Sequence, residues 1–328
     1  MGQIEAALIG AGRMGSIHGA NAAARPDMRI RYVIDPRPEA AGALAATLGA
    51  EVAGLDQALV DPAVGAVLVC SSTDQHLAHA VAALAAGKAV FCEKPIDLDL
   101  EKVRAAGTTL RDRPFVLAFN RRFDPDLRAL KRRLDGGTVG KLESLHITNH
   151  DPAPPPPGFI PTSGGLFRDF TIHDLDLTRW LLGEPIVELF ATASCLVDPE
   201  IGRQGDVDTA RVVLKSQSGR LAVISNTRRS GYGYDQRVEA FGSNGMARVG
   251  NAAHDTVVML TEDGSCGAPI LPGFLQRYAA SYKAEMDHFA DVALGRAAPL
   301  VGYEDGLQAQ TLADTCDRSA RTGKAVRP

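Results

Sequence analysis

An apolar run, Ala6–Ile9, leads directly into Gly10-Ala11-Gly12-Arg13-Met14-Gly15, and a helix-compatible stretch follows. A G-x-G-x-x-G turn between a strand and a helix aims backbone N–H groups and the helix's partial positive charge at a pyrophosphate. Gly10 permits the tight turn, Gly12 lets the backbone approach a phosphate, and Gly15 lets the helix pack closely on the strand. In a chain with 33 glycines the pattern alone is weak. Its place after a strand near the N-terminus, and Asp35 twenty residues beyond Gly15 at the end of the next apolar run, make it specific. Asp35 is suited to accept hydrogen bonds from ribose hydroxyls and to repel a 2′-phosphate, so NAD is the expected cofactor. Arg37, two residues on, could offset that repulsion and admit NADP.

Two further groups follow at the ends of later apolar runs: Ser71-Ser72-Thr73 with His76, then Glu93-Lys94-Pro95. Open α/β sheets bind ligands outside the C-terminal ends of their strands, so both groups are expected to face the cofactor cleft. Farther along stands Gly164-Gly165-Leu166-Phe167-Arg168-Asp169-Phe170-Thr171-Ile172-His173-Asp174. Asp169 and His173 are spaced i, i+4, which places both on one helix face. His173 also shares a stripe with Phe170, Leu177 and Leu181, so it faces inward, and Gly183 supplies a helix stop. A lone inward histidine is ordinarily a satisfied core residue. A carboxylate beside it and a lysine at a cofactor-facing strand end shift the balance toward proton transfer.

The elements that must hold these residues divide the chain near residue 120. Up to there, candidate strands Ala6–Ile9, Ile30–Ile34, Ala66–Cys70, Ala89–Phe91 and Phe115–Ala118 alternate with Ala-rich helical stretches such as Leu77–Ala86. Nearly continuous apolar strands separated by helices predict a parallel sheet covered on both faces. Beyond residue 120, Leu142–Thr148, Val187–Ala193, Arg211–Lys215, Leu221–Ser225, Val238–Phe241 and Thr256–Leu260 read as strands with little helix between several of them. Gln217–Gly219 and Gly242–Gly245 look like hairpin turns. The fold class is therefore α/β: an N-terminal Rossmann dinucleotide-binding domain over 1–120, then an α+β domain over 121–328 with a large, mostly antiparallel open sheet. Helices are expected near Gln276–Leu294 and Tyr303–Thr322. Asp151 to Pro161 carries six prolines and reads as a stiff loop.

Composition excludes other classes. A formal net charge of −4 gives no basic field for nucleic acid. No long uncharged apolar run marks a membrane span, and the N-terminus has no signal-peptide pattern. Five scattered cysteines fit neither a disulfide framework nor a Cys-x-x-Cys metal site, which suggests a reduced, cytoplasmic protein. His18, His76, His79 and His146 show no metal-ligand spacing, and no metal is expected.

Glu93-Lys94-Pro95 together with the G-G-x-x-x-D-x-x-x-H motif at Gly164–His173 resembles the Gfo/Idh/MocA family of oxidoreductases, and the resemblance covers essentially the whole chain. Asn120-Arg121-Arg122-Phe123-Asp124, the loop from Asp151 through its prolines, and Arg277-Tyr278 with Tyr282 and Glu285 resemble the inositol 2-dehydrogenases within it. The resemblance implies that Lys94, Asp169 and His173 form the catalytic set, that the Lys94–Pro95 bond is cis, and that a cyclic polyol, myo-inositol first, is oxidised to a ketone. It also implies a homotetramer. The residue types suit that chemistry. His173 would take the hydroxyl proton, Asp169 would orient and stabilise the imidazolium, and Lys94 would favour the alkoxide-like oxygen. Arg122, Asp151, Thr171, Tyr232 and Tyr282 are candidates to hold substrate hydroxyls. His150 joins them, standing where many inositol dehydrogenases carry arginine. Two other readings stay open: a family member acting on another sugar or polyol, and an NAD(P)-binding sensor or corepressor without turnover.

Overall fold

The computed structural model describes residues 3–156 and 158–328. Pro157, part of the proline-rich loop, lies outside the described residues. The chain forms two compact units, Met1–Phe123 with Ser281–Gln310, and Asp124–Ala280 with Thr311–Pro328. The division expected at residue 120 falls three positions before the end of the first stretch, and the first unit also takes in residues 281–310. Among the described residues no helix is long and apolar enough to cross a membrane.

In the first unit six strands, β1 (Ile4–Ile9), β2 (Met28–Ile34), β3 (Glu51–Val52), β4 (Val64–Val69), β5 (Ala89–Cys92) and β6 (Phe115–Leu117), make one sheet ordered β3-β2-β1-β4-β5-β6. Every pairing in it is parallel. β5 and β6 are buried at every position, the pattern of strands covered on both faces. Strand order reverses between β1 and β4, which opens a crevice at their C-terminal ends. Local chemistry places the helices: Pro38 sits in the first turn of Pro38–Leu48, and Gly49 ends that helix in the left-handed conformation. The short β3 has no signature in the sequence, because two exposed residues carry no periodicity.

The helix expected over 276–294 is two helices, Phe274–Arg277 and Ala279–Ala293. Met286, Phe289, Ala290 and Val292 of the second join Leu8, Leu68 and Phe91 in the first unit's core. Helix Tyr303–Thr322 gives its first residues to the first unit and those from Thr311 onward to the second.

The second unit holds β7 (Leu142–His150), β8 (Ile186–Ser194), β9 (Thr209–Ser216), β10 (Leu221–Thr227), β11 (Asp235–Gly242) and β12 (Gly245–Val249), ordered β12-β11-β7-β10-β9-β8. Hairpins join β9 to β10 and β11 to β12, through the two turns predicted from sequence. The sheet is antiparallel except at its centre, where β7 and β10 run parallel. Alternate residues such as Leu145, Ile147, Val212, Leu214, Ile224 and Val238 face a core shared with Leu175 and Leu181 of helix Ile172–Leu182 and with Leu312 and Cys316. Their neighbours Phe190, Val213 and Leu221 are exposed on the other face. A separate hairpin, β13 (Val258–Thr261) with β14 (Gly264–Gly267), pairs with neither sheet.

One core group is out of keeping with its surroundings. Glu285 is fully buried among the apolar residues of its helix, and neither carboxyl oxygen has a hydrogen-bond partner among the described residues. Burial, reinforced by the negative charge of Glu93, pushes its titration well above the usual carboxylate range. The folded state therefore holds Glu285 protonated while the unfolded chain ionises it above about pH 4.3. Stability is full below that pH and falls as pH rises toward the titration of the buried group. Glu285→Gln keeps the shape without the proton, so its Tm is expected to exceed wild type increasingly from pH 4 to pH 8. About 1 kcal/mol moves Tm by roughly 2–4 °C at the scale of 150–250 residues. Equal melting curves at pH 8 would contradict a buried neutral Glu285.

Candidate active site

The glycine turn at the switch point is built on close backbone approach. Gly10 has φ +103°, where side chains are strained. A Cβ there would overlap the Cys70 carbonyl at the end of β4, and one on Gly15 would overlap the Gly10 carbonyl. A Cβ on Gly12 would meet nothing within 4 Å, so this position faces open space. Helix Arg13–Ala23 has no acidic residue in its first turn and no side chain capping its N-terminus. Its first N–H groups remain available to an anion, which fits a pyrophosphate. Arg13 is exposed and Met14 half-buried beside them.

Asp35 closes the turn from the next strand. The Ala11 N–H donates to its Oδ2 (2.7 Å), and Arg37 reaches both carboxylate oxygens through Nε (3.0 Å) and Nη2 (3.1 Å). The Arg37 hydrogen bond is the main cause that holds Asp35 down at about pH 2, with burial opposing and the Ala11 and Arg37 amides assisting. Asp35 therefore stays ionised, and the guanidinium that could serve a 2′-phosphate is already engaged by it.

At the ends of β4 and β5 the expected residues line up on one sheet edge. Ser71 Oγ lies 3.0 Å from His79 Nδ1, Ser72 is exposed, and Thr73 begins a short 3-10 turn. Lys94 is half-buried and its bond to Pro95 is cis, as the resemblance implies. Burial works to raise Glu93's titration, but the hydrogen bond from His18 and the charges of His18, Lys94 and His76 prevail and hold it low. His18 Nε2 lies 2.7 Å from Glu93 Oε1, and its ring stands edge-on to Tyr282 at 5.7 Å. Tyr282 is buried, and Arg122 is a buried cation paired with Asp305 at 2.7 Å. His76, expected to touch the cofactor, is buried with its ring nitrogens turned to backbone carbonyls.

The second unit gathers its candidates where parallel β7 and β10 end side by side. Phe167–Thr171 is a π-helical turn, and α-helix begins only at Ile172. The i, i+4 spacing of Asp169 and His173 implies α geometry throughout, and the structure departs from it. A π turn advances less per residue, and such turns recur at functional sites. Asp169 lies in the wide turn, where Arg228, buried and stacked 5.7 Å from the Phe170 ring, reaches its Oδ2 at 3.4 Å. His173, in the helix's first turn, is half-buried.

The next residue anchors the helix. Asp174 is fully buried, and its Oδ2 accepts from Asn149 Nδ2 (2.9 Å) and Asn226 Nδ2 (2.8 Å), cross-strand partners on β7 and β10. Thr171 donates its hydroxyl to Asn226 Oδ1 at 2.7 Å and is itself fully buried. Thr171 therefore braces the turn. His150 and Tyr232 converge on Asp235: the Tyr232 hydroxyl donates at 2.7 Å, and His150 Nδ1 lies at 3.7 Å. His150 Nε2 contacts Ser225 Oγ at 2.9 Å, and burial lowers its titration. Tyr232 is 57% exposed, and Asp151, half-buried, continues the β7 edge with its N–H on the Thr227 carbonyl.

Asn149, Asp174, Asn226, Arg228 and Asp235 are polar or charged and almost wholly buried, and the sequence does not single them out. Their only signal is position, at the ends of strands and beside His150, His173 and Thr227. The parallel pairing that gives those ends meaning lies between segments far apart in sequence. Arg277 and Asp124, from two segments resembling inositol 2-dehydrogenases, meet as a buried ion pair at 2.6 Å. Asp124 also caps helix Pro125–Asp135, so these segments act in part as structural ties.

Comparison with known proteins accords with both halves. Residues 4–120 match the oxidoreductase family model described as an NAD-binding Rossmann fold, and residues 127–248 match the GFO/IDH/MocA C-terminal domain. The chain belongs to the GFO/IDH/MocA family of oxidoreductases. It is 41% identical over 322 residues to an inositol 2-dehydrogenase of Rhizobium meliloti, covering 97% of each chain. It is 43% identical to a myo-inositol 2-dehydrogenase of Thermotoga maritima, covering 98% of this chain and 97% of that one. A crystal structure of scyllo-inositol dehydrogenase from Lactobacillus casei, with bound NAD(H) and scyllo-inositol, superposes with TM-score 0.90 at 27% identity, covering 99% of each chain.

The Asp174 network carries a prediction. Asp174→Ala leaves two buried amides without their acceptor, at about 1–3 kcal/mol for each. Denaturant unfolding is expected to show a loss on the order of 3 kcal/mol, with NAD affinity, a property of the glycine turn, within about two-fold of wild type. A variant as stable as wild type would mean that the carboxylate does not hold the helix.

Proposed function

We propose that this chain oxidises one ring hydroxyl of myo-inositol to the ketone, an inosose, with NAD bound at the glycine turn as hydride acceptor. The observation that carries this reading is full-length similarity to inositol 2-dehydrogenases in a chain that keeps Lys94, Asp169 and His173. Asp35 supports NAD over NADP, because its charge repels a 2′-phosphate and Arg37 is engaged with it.

In this reading His173 takes the hydroxyl proton as the carbinol carbon loses its hydride. Lys94 donates a hydrogen bond to the reacting oxygen and favours its alkoxide-like form. Asp169 stabilises the imidazolium, and the Arg228 guanidinium, 3.4 Å from its Oδ2, helps to hold it in place. Asp151 and His150 are proposed to hold other hydroxyls, with Tyr232 joined to them through Asp235. A polyol ring leaves several hydrogen bonds to water on binding, so a site that replaces them rejects analogues lacking a hydroxyl. A sensor without turnover would not require the proton-transfer residues.

We also propose a cytoplasmic homotetramer. All five cysteines are free, in keeping with a reducing compartment. The apolar side chains on the open sheet face and on the β13–β14 hairpin, where Leu260 is 79% exposed, suit burial against further copies. Sedimentation equilibrium is expected to give the mass of four chains, and a monomer would contradict this assembly.

Steady-state kinetics with myo-inositol, scyllo-inositol, glucose and xylose, each with NAD and NADP, test the activity. The highest kcat/KM is expected for myo-inositol with NAD. Lys94→Ala and His173→Ala are each expected to lower kcat by about 10²–10⁴, with NAD affinity nearly unchanged. Reduction of the cofactor by a pyranose sugar and not by myo-inositol would overturn the substrate. Near-wild-type turnover of His173→Ala at neutral pH would remove His173 from the mechanism.

A further inference from the structure

Gly164-Gly165 opens the segment that carries Asp169 and His173, and a residue far along the chain holds that opening. A Cβ on Gly165, which has φ +85°, would lie 2.8 Å from Asp206 Oδ1. The same oxygen accepts the Leu166 N–H at 3.1 Å, and Leu166 is fully buried where the π turn Phe167–Thr171 begins. N–H groups at the start of a helix have no partner within it, so a carboxylate placed there fixes where the turn begins. Arg168 adds a second tie, with Nη1 3.4 Å from the Gly164 carbonyl and Nε 2.6 Å from Asp314.

Local chemistry places Asp206 in turn. Helix Pro199–Arg203 ends at Gly205, left-handed at φ +81°. The Gly205 N–H donates to the Gly202 carbonyl (3.0 Å) and the Asp206 N–H to the Ile201 carbonyl (3.1 Å), the paired bonds of a Schellman turn. Two residues on, Asp208 is fully buried, and its carboxylate accepts the N–H groups of Leu196 (2.8 Å), Val197 (2.8 Å) and Asp198 (3.0 Å). The Asp208 carbonyl accepts the Arg228 N–H at 2.9 Å. Arg228 is the residue whose guanidinium reaches Asp169. Asp206-Val207-Asp208 therefore holds both sides of that pair. Asp206 holds the turn that carries the carboxylate, and Asp208 holds the backbone that carries the guanidinium.

We propose that Asp206 is a positioning residue. It sets the start of the π turn against the segment that anchors Arg228, and so fixes Asp169, with His173 beyond it, for the reaction. Its effect on the chemistry runs through the backbone of Gly165 and Leu166. The contact is a hydrogen bond to a neutral amide, so an acceptor oxygen at this place is what the role requires. The inference rests on the proposed part of Asp169 and His173 in proton transfer, but not on the identity of the substrate.

Asp206→Ala removes the acceptor, and Asp206→Asn keeps an oxygen that can take the Leu166 N–H. Should Asp206→Ala fail to fold, Asp206→Ser, whose hydroxyl is too short to reach the amide, takes its place. Crystal structures of wild type and Asp206→Ala, both without polyol, read the placement. The variant is expected to show the turn displaced and the Asp169–Arg228 contact opened; an unchanged pair would overturn the proposal. Kinetics with NAD and myo-inositol, per folded enzyme, read the role. Misplacement by about 1 Å can cost about 10²-fold, so kcat of Asp206→Ala is expected to fall by about 10- to 100-fold. KM is expected to move less than kcat, NADH affinity to stay at the wild-type value, and Asp206→Asn to recover most of the loss. Wild-type kcat in Asp206→Ala, or a loss as deep in Asp206→Asn, would overturn the role. If wild type itself fails to oxidise myo-inositol, the substrate assignment falls, and the crystal structures still decide whether Asp206 places Asp169.

Discussion

Two backbone contacts in the first unit tolerate no side chain. The carbonyl of Cys70 stands where a Cβ of Gly10 would be, and the carbonyl of Gly10 stands where a Cβ of Gly15 would be. Strand, turn and helix are locked at van der Waals distance, and the cost of a side chain at either site is displacement of backbone. The cofactor side of that unit depends on this lock. It leaves the helix N-terminus uncapped at the crevice, brings the Ala11 N–H onto Asp35, and of the three glycines of the turn leaves Gly12 facing open space. The proposed preference for NAD is therefore coupled to the same turn proposed to hold the phosphates, because Asp35 is held by a backbone amide of that turn.

The second unit solves a different problem, the placement of a histidine and a carboxylate on a helix. Its solution is a buried polar cluster. Asp174 takes hydrogen bonds from β7 and β10, and Thr171 ties the π turn to the same asparagine. A buried carboxylate is tolerated when its donors are complete, and removal of one member leaves the rest uncompensated. The helix start is thus fixed to the sheet by polar contacts whose geometry is stricter than apolar packing. That strictness suits residues expected to move a proton, where small displacements weaken catalysis.

Much of this is legible in sequence, for physical reasons that differ by element. The glycine turn, Asp35 and the strand before them are readable because their spacing is set locally, within one β-α-β unit. The alternation along Leu142–Thr148 and Leu221–Ser225 identifies two strands, yet period-2 patterning is the same whether neighbours run parallel or antiparallel. The β7–β10 pairing therefore stays hidden, and with it Asn149, Asn226 and Arg228. The partner of the Thr171 hydroxyl is hidden for the same reason, since it lies 55 positions away in sequence. The π turn is equally invisible, since no residue type in Phe167–Thr171 distinguishes it from an α turn.

The central claim is that a hydride leaves a ring carbon of myo-inositol for NAD bound at the glycine turn. Incubation of the wild-type protein with NAD and myo-inositol deuterated at the carbon of the reacting hydroxyl, position 2, tests it most directly. Mass spectrometry and NMR of the recovered cofactor are expected to find deuterium on the nicotinamide ring. Reduced cofactor without deuterium, or no reduced cofactor, would contradict the claim.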